Sequence, residues 1–197
     1  MDLDFSNQHT ESDLDTLHTL LDSLLRPYLK SELSNLRILN LACGRADETG
    51  VLHRILSPCA AELTMIGVDI RDREIAEANL RWKSLQGAQA AFLVQDASKL
   101  HQVDELSQPF DVAFMRHQNF WNGDLTWHRI YDQALHSLKS EGLLIITSYF
   151  DREHFLALQA IQSLGAKLVH TIRNPHSRPL PDAPGKSVDR HIAIFKL

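Results

Sequence analysis

The sequence predicts an α/β fold: a three-layer, doubly wound domain around a seven-stranded, mostly parallel sheet with a C-terminal antiparallel strand, plus an N-terminal helix. Three observations predict it. Short apolar runs alternate with stretches of helical spacing along most of the chain. One such run, residues 36–41, passes through a turn of small residues into a helical pattern. The chain then closes on two β-rich segments, 166–173 and 190–197, joined by a long loop rather than a helix.

The totals fit a protein with a core of its own. At 197 residues one domain with a substantial core is expected, and 44% hydrophobic with 23% charged residues is ordinary for a globular chain. The net charge of −5 leaves no footprint for nonspecific nucleic-acid binding. Two cysteines, Cys43 and Cys59, indicate neither a disulfide framework nor a Cys-based metal site, and no other zinc spacing appears. The acidic, polar N-terminus does not read as a secretory signal, and no apolar run approaches the roughly 20 residues of a membrane span. The expected location is the cytoplasm.

Residues 1–11 are polar. Leu14, Leu17, Leu20, Leu21, Leu24 and Leu25 then recur at helical spacing, with Ser12 and Asp15 placed as a capping box. Pro27 should end this helix, with Tyr28, Leu29 and Leu33 in a second short one; residues 1–35 form a helical extension and 36–197 the main domain. The first strand, 36–41, runs into Ala42, Cys43, Gly44 and Ala46, residues too small to hold a ligand off the backbone. Asp47 reads as an N-cap and Glu48 as part of the first helical turn, before Val51, Leu52, Ile55 and Leu56. Strand, small-residue turn and helix N-terminus describe a nucleotide-binding crevice.

The second strand, 63–68, ends at Asp69, whose two acceptor oxygens suit a ribose diol; it stands 25 positions after Gly44, near the separation of about 20 in dinucleotide sites. Ile70 is placed to pack on an adenine face. A helix over 73–85 should turn Ile75, Ala76 and Leu80 to the sheet. The third strand, 91–94, precedes Gln95, Asp96 and Ala97, with Asp96 also a candidate helix cap. The fourth, 110–115, runs into Arg116, His117, Gln118, Asn119, Phe120 and Trp121. His117 is the best candidate base there, because imidazole titrates near neutrality, although the chain holds 11 histidines. Phe120 and Trp121 either wall a substrate or belong to the core. A helix capped by Asp124 should run to Lys139, with Gly142 ending it before a fifth strand at 143–147. Asp151 should cap the next helix, which carries Phe155, Leu156, Ile161 and Leu164. The loop 174–189, with four prolines, Arg178 and Lys186, reads as a cationic substrate rim or a solvated hairpin loop.

The stretch NLACGRA, from Asn40 to Ala46, resembles the first motif of the class I S-adenosylmethionine-dependent methyltransferases, with Ala42, Gly44 and Ala46 at the glycine positions and Asn40 at the acidic one. LKSEGLLIITSYF resembles the family's fifth-strand region, and the closing hairpin resembles its ending. The resemblance covers residues 36–197 and implies a Rossmann-like fold that binds S-adenosylmethionine and releases S-adenosylhomocysteine. It implies that Asn40, Leu41, Ala42, Cys43 and Gly44 lie near the methionyl portion, Asp69 and Ile70 at the ribose and adenine, Asp96 and Ala97 at the adenine, and Met115 and Arg116 on the far side. It places the catalytic group, here His117, after the fourth strand. It implies no metal ligand. The small chain favours a small-molecule acceptor over nucleic acid, and no membrane partner or oligomeric state is indicated. Asp47 and Glu48 would repel a pyrophosphate, which argues against a nicotinamide-dependent oxidoreductase. An aminopropyl transferase would want an acidic residue where Arg116 and His117 stand. The replaced motif residues leave a non-catalytic or regulatory S-adenosylmethionine-binding module as the alternative.

Overall fold

The computed structural model describes residues 7–29, 32–118, 120 and 123–197. The chain divides into two compact units, one up to Val94 and one from Gln95 to Leu197. The first holds α1 (Thr10–Leu25), β1 (Leu33–Leu41), α2 (Thr49–Leu56), β2 (Ala60–Asp69), α3 (Asp72–Arg81) and β3 (Gln89–Val94). The second holds two short 3-10 stretches (Ala97–Gln102 and Asp104–Leu106), β4 (Phe110–Met115), α4 (Asp124–His136), β5 (Leu138–Ser148), α5 (Asp151–Ser163), β6 (Lys167–Arg173) and β7 (His191–Lys196). The strands follow the order β3-β2-β1-β4-β5-β7-β6 in one seven-stranded sheet. The mostly parallel α/β fold with an antiparallel C-terminal strand is the one the sequence predicts.

In the first unit β1 pairs with β2 from Leu33↔Ala60 to Leu41↔Val68, and β2 pairs with β3, both in parallel. The apolar ends of β1 and β2 are buried because helices cover parallel strands. α1 buries Leu14, Leu17, Leu21 and Leu25, one stripe of its amphipathic pattern. The expected capping box does not form. The helix starts three residues earlier than a Ser12 cap would place it, at Thr10, so the Ser12 hydroxyl sits inside the first turn and donates to the His9 carbonyl. After Pro27, Tyr28 and Leu29 follow in a turn and coil and Leu33 opens β1, so no second helix reaches it; residues 30 and 31 lie outside the described residues.

α3 is shorter than the spacing suggests and turns differently. Leu80 is exposed, while Ile75 and Ala78 are buried. The neighbouring Asn79 amide fixes this rotation: it accepts from the Phe92 backbone N–H and donates to the Phe92 carbonyl, pinning α3 to β3.

In the second unit β4 and β5 are parallel, and β7 is antiparallel to both β5 and β6. α4 stops at His136 instead of Lys139, because Leu138 already pairs with Phe110 as the start of β5. Gly142 is therefore a strand residue. A side chain there would lie 3.0 Å from Leu138 Cβ and from the Lys139 carbonyl, so the irregular start of β5 needs glycine for close approach. α5 also turns differently: Phe155 is exposed, and the buried stripe is Glu153, His154, Ala157 and Ile161. Two polar groups are tolerated inside because each has partners. Glu153 accepts from Tyr149 N–H at 3.3 Å, and His154 lies 3.1 Å from Ser148 Oγ and 2.8 Å from Thr171 Oγ1.

Candidate functional site

The loop after β1 carries an unusual backbone. Ala42, Gly44 and Ala46 all adopt left-handed conformations, with φ of 51°, 55° and 52°. Alternate left-handed residues fold the loop tightly back on the strand ends, and the conformation is natural only for glycine. Cys43 N–H donates to the Val68 carbonyl at 3.1 Å, and Gly44 N–H donates to Asp69 Oδ2 at 2.8 Å. Trp82 closes the far side, its Nε1–H donating to the Ala46 carbonyl at 2.9 Å. Burial, reinforced by Glu48 and Asp69, pushes the Cys43 thiol well up, so it is no nucleophile.

The sequence places Asn40 at the end of the first strand and Glu48 in the first helical turn. They form a buried pair, Asn40 Nδ2 donating to Glu48 Oε1 at 2.5 Å. Glu48, not Asp47, stands at the N-cap of α2, and its carboxylate turns inward instead of capping. Asn40 Oδ1 is buried without a hydrogen-bond partner.

Asp69 is buried at the end of β2. Burial works against its charge, but Arg71 and the Gly44 N–H together hold the carboxyl below its usual range. The Arg71 guanidinium donates to both carboxylate oxygens, at 2.9 and 3.1 Å, and to Glu74 at 2.8 Å. Ile70 between them is 70% exposed, an apolar side chain turned to solvent.

In the second unit Asp96 caps the first 3-10 stretch. It accepts from the Ser98 hydroxyl and N–H, which with Lys99 hold its carboxyl below the usual range. Ala97 and Met115 are buried. Arg116 is clamped by Asp189, Nη2 lying 2.6 Å from Oδ2 and Nε 3.1 Å from Oδ1. His117, at φ 59°, stacks on Tyr149 with ring centroids 3.9 Å apart. Its Nε2 lies 2.8 Å from Asp189 Oδ1 and accepts the Asp189 backbone N–H at 3.0 Å. One nitrogen cannot serve both: without a proton Nε2 accepts from the backbone N–H, and with one it donates to the carboxylate. Thr147 Oγ1 accepts from His117 N–H and donates to Asp189, completing the hub. Phe120 stacks 6.1 Å from Tyr131, while Asn119 and Trp121 lie outside the described residues.

The 174–189 loop is packed at its ends and solvated in its middle, where Pro175, His176, Pro181 and Asp182 are exposed. Asn174, Ser187 and Asp189 are buried, Ser187 N–H donates to the Tyr149 carbonyl, and Lys186 lies 4.8 Å from the Tyr149 ring centroid. Sequence reasoning misses Arg71, Asp189 and the pairing of Glu48 with Asn40. Arg71 has a local signal, two residues beyond Asp69; Asp189 has none, since its side-chain partners Thr147, His117 and Arg116 lie 42 to 73 positions away.

A family model described as a methyltransferase domain matches residues 32–178, about three quarters of the chain. The chain belongs to the class I S-adenosylmethionine-dependent methyltransferases. No curated protein matches the sequence of this methyltransferase. Solved structures share its fold at low identity. A Pyrococcus horikoshii protein has a TM-score of 0.67 at 16% identity, covering 97% of this chain and 92% of that one. The magnesium protoporphyrin IX methyltransferase of Synechocystis, solved with bound S-adenosylmethionine, has a TM-score of 0.63 at 13% identity, covering 98% and 86%. An rRNA methylase from Streptococcus thermophilus has a TM-score of 0.58 at 14% identity, covering 98% of both. Among the described residues no helix is long and apolar enough to cross a membrane.

The first unit fits an adenosyl cofactor. Its loop sets small residues beside Asp69, which supplies two acceptor oxygens next to an exposed apolar Ile70, and Asn40 keeps an unpaired buried acceptor.

Proposed function

We propose that this methyltransferase binds S-adenosylmethionine through residues 40–44, Asp69 and Ile70, and methylates a small-molecule nucleophile. The observation that supports the cofactor site is the Gly44–Asp69 hydrogen bond, which sets the Asp69 carboxylate beside the left-handed loop. The bound cofactor supplies a methyl group already activated on a sulfonium centre. The chain's own part is to position, to exclude water and to take a proton. His117 is the base in this reading, with Asp189 orienting its ring and stabilising the cation it forms. The motif positions Asp96, Ala97, Met115 and Arg116 keep their cofactor roles on the resemblance alone.

The test combines binding with transfer. S-adenosylhomocysteine should raise the melting temperature, and Asp69→Ala should abolish the shift. Transfer of labelled methyl is then followed into a pool of cellular small molecules and, separately, into total RNA. Label in the small-molecule pool is expected; label in RNA alone overturns the choice of acceptor. His117→Gln should lower kcat by about 10²-fold or more with the cofactor KM unchanged.

A further inference from the structure

The Asp69 carboxylate has more partners than a ribose site needs. Oδ2 accepts from Gly44 N–H at 2.8 Å and from Arg71 Nη2 at 3.1 Å. Oδ1 accepts from Arg71 N–H at 3.0 Å and from Arg71 Nε at 2.9 Å. Glu74 holds the guanidinium from its other edge, through Nη1 at 2.8 Å. The same pair of side chains lies over the cofactor loop: a Cβ on Gly44 would be 2.8 Å from Glu74 Oε2 and 3.0 Å from Arg71 Nη2.

We propose that Arg71 sets the cofactor affinity of this site, by competing with the ribose diol for Asp69 and by covering the backbone of Gly44. The inference rests on the adenosyl site proposed above. A diol and a guanidinium edge present the same pattern to a carboxylate, two donors side by side, so they exclude one another. The guanidinium brings charge as well as geometry, which makes it the stronger of the two competitors bond for bond. It is also free to leave. Arg71 is 56% exposed, so swinging out returns it to water, and Glu74 is placed to keep hold of it.

Removing the side chain does not dismantle the carboxylate. Gly44 N–H and Arg71 N–H are backbone donors, one to each oxygen, and both remain in Arg71→Ala. The site in that variant has Asp69 oriented, charged and uncovered.

The experiment is calorimetric titration of S-adenosylhomocysteine into the full-length wild-type protein, Arg71→Ala, Arg71→Lys and the double variant Arg71→Ala/Asp69→Asn. Arg71→Ala should bind roughly tenfold more tightly than wild type, the scale of one displaced charge-assisted pair. Arg71→Lys, which keeps the charge and loses the fork, should fall between them. The gain should vanish in the double variant. Equal or weaker binding by Arg71→Ala, with measurable binding by wild type, overturns the inference and leaves the adenosyl site standing. Absence of binding by wild type and Arg71→Ala alike, at millimolar ligand, overturns both.

Discussion

The backbone amide of Gly44 donates to Oδ2 of Asp69 across 25 positions of sequence, tying the loop after β1 to the end of β2. Parallel pairing of the two strands makes this possible, since Leu41 stands opposite Val68 in the register. The loop must then reverse within a few residues, and the left-handed backbone at residues 42, 44 and 46 is how it does so. Two of those three positions are alanine, so the loop retains a geometry that suits glycine better than its own sequence.

Ala42→Gly should therefore stabilise the protein. A left-handed L-residue costs on the order of 1–2 kcal/mol, offset in part by the greater freedom glycine adds to the unfolded chain. A net gain of about 0.5–1 kcal/mol corresponds to a rise in Tm of roughly 1–4 °C at this chain length. Ala46→Gly should gain less. The Ala46 methyl is fully buried among Cys43, Ile75, Ala78 and Phe92, and losing a buried methyl costs about 0.8 kcal/mol. Thermal unfolding of the two variants side by side checks the order; a larger gain at position 46 would refute the strain argument.

Much of this was legible in the sequence because the signals were local. β4 is legible to the residue, 110–115, since Pro109 and the polar Arg116 bracket a mostly apolar run. The small-residue turn and Asp69 are legible because a strand, a turn and an acidic strand end are contiguous features. Helix ends were less legible. Leu138 continued the spacing of α4, and only its pairing with Phe110 makes it a strand residue. The Arg116–Asp189 clamp was not legible at all, because it depends on the loop before β7 folding back to β4.

Asp189→Asn should be severely destabilising. The carboxylate is buried against the largely buried Arg116 and also receives Thr147. Burial opposes its charge, yet Arg116 and His117 hold its carboxyl far below the usual range. A depressed carboxyl contributes stability above its unfolded pKa and loses it only as pH falls through the folded value, so the clamp should persist into strongly acidic solution. Breaking it removes the Asp189 charge from beside the largely buried Arg116, a loss of about 3–5 kcal/mol. Urea unfolding at neutral pH should show it; a loss under about 1 kcal/mol would mean the pair is effectively solvated.

Gly67→Ala should destabilise as well, through volume alone. A methyl at position 67 of β2 would overlap the Phe92 ring and lie 3.0 Å from Cys43 Sγ. Phe92 is buried and pinned through its backbone by Asn79, so it has little room to move. Overpacking of this kind costs roughly 1–3 kcal/mol. The double variant Gly67→Ala/Phe92→Leu should recover part of the loss, and failure to recover any would place the strain elsewhere.

His154 gives the fold a dependence on pH. Burial first, and then the neighbouring His191, push its pKa down to about 4, against the opposite pull of Asp151. Its ring stacks 4.6 Å from that of His191, and His191 and Arg190 both hold Asp151, so these are the charges it faces. A histidine kept neutral in the folded state but free to protonate at about 6.5 when unfolded favours the unfolded chain as pH falls. Stability should thus decline from about pH 6.5 towards about pH 4, by at most roughly 1.4 kcal/mol per pH unit. His154→Gln retains hydrogen-bonding groups towards Ser148 and Thr171 without a titrating ring. Urea unfolding of both proteins at pH 7.0 and pH 5.0 isolates the effect: the wild type should lose stability relative to the variant on acidification, by about 1–2 kcal/mol. Parallel decline of the two would assign the acid sensitivity to other groups and leave His154 as a neutral hydrogen-bonding residue only.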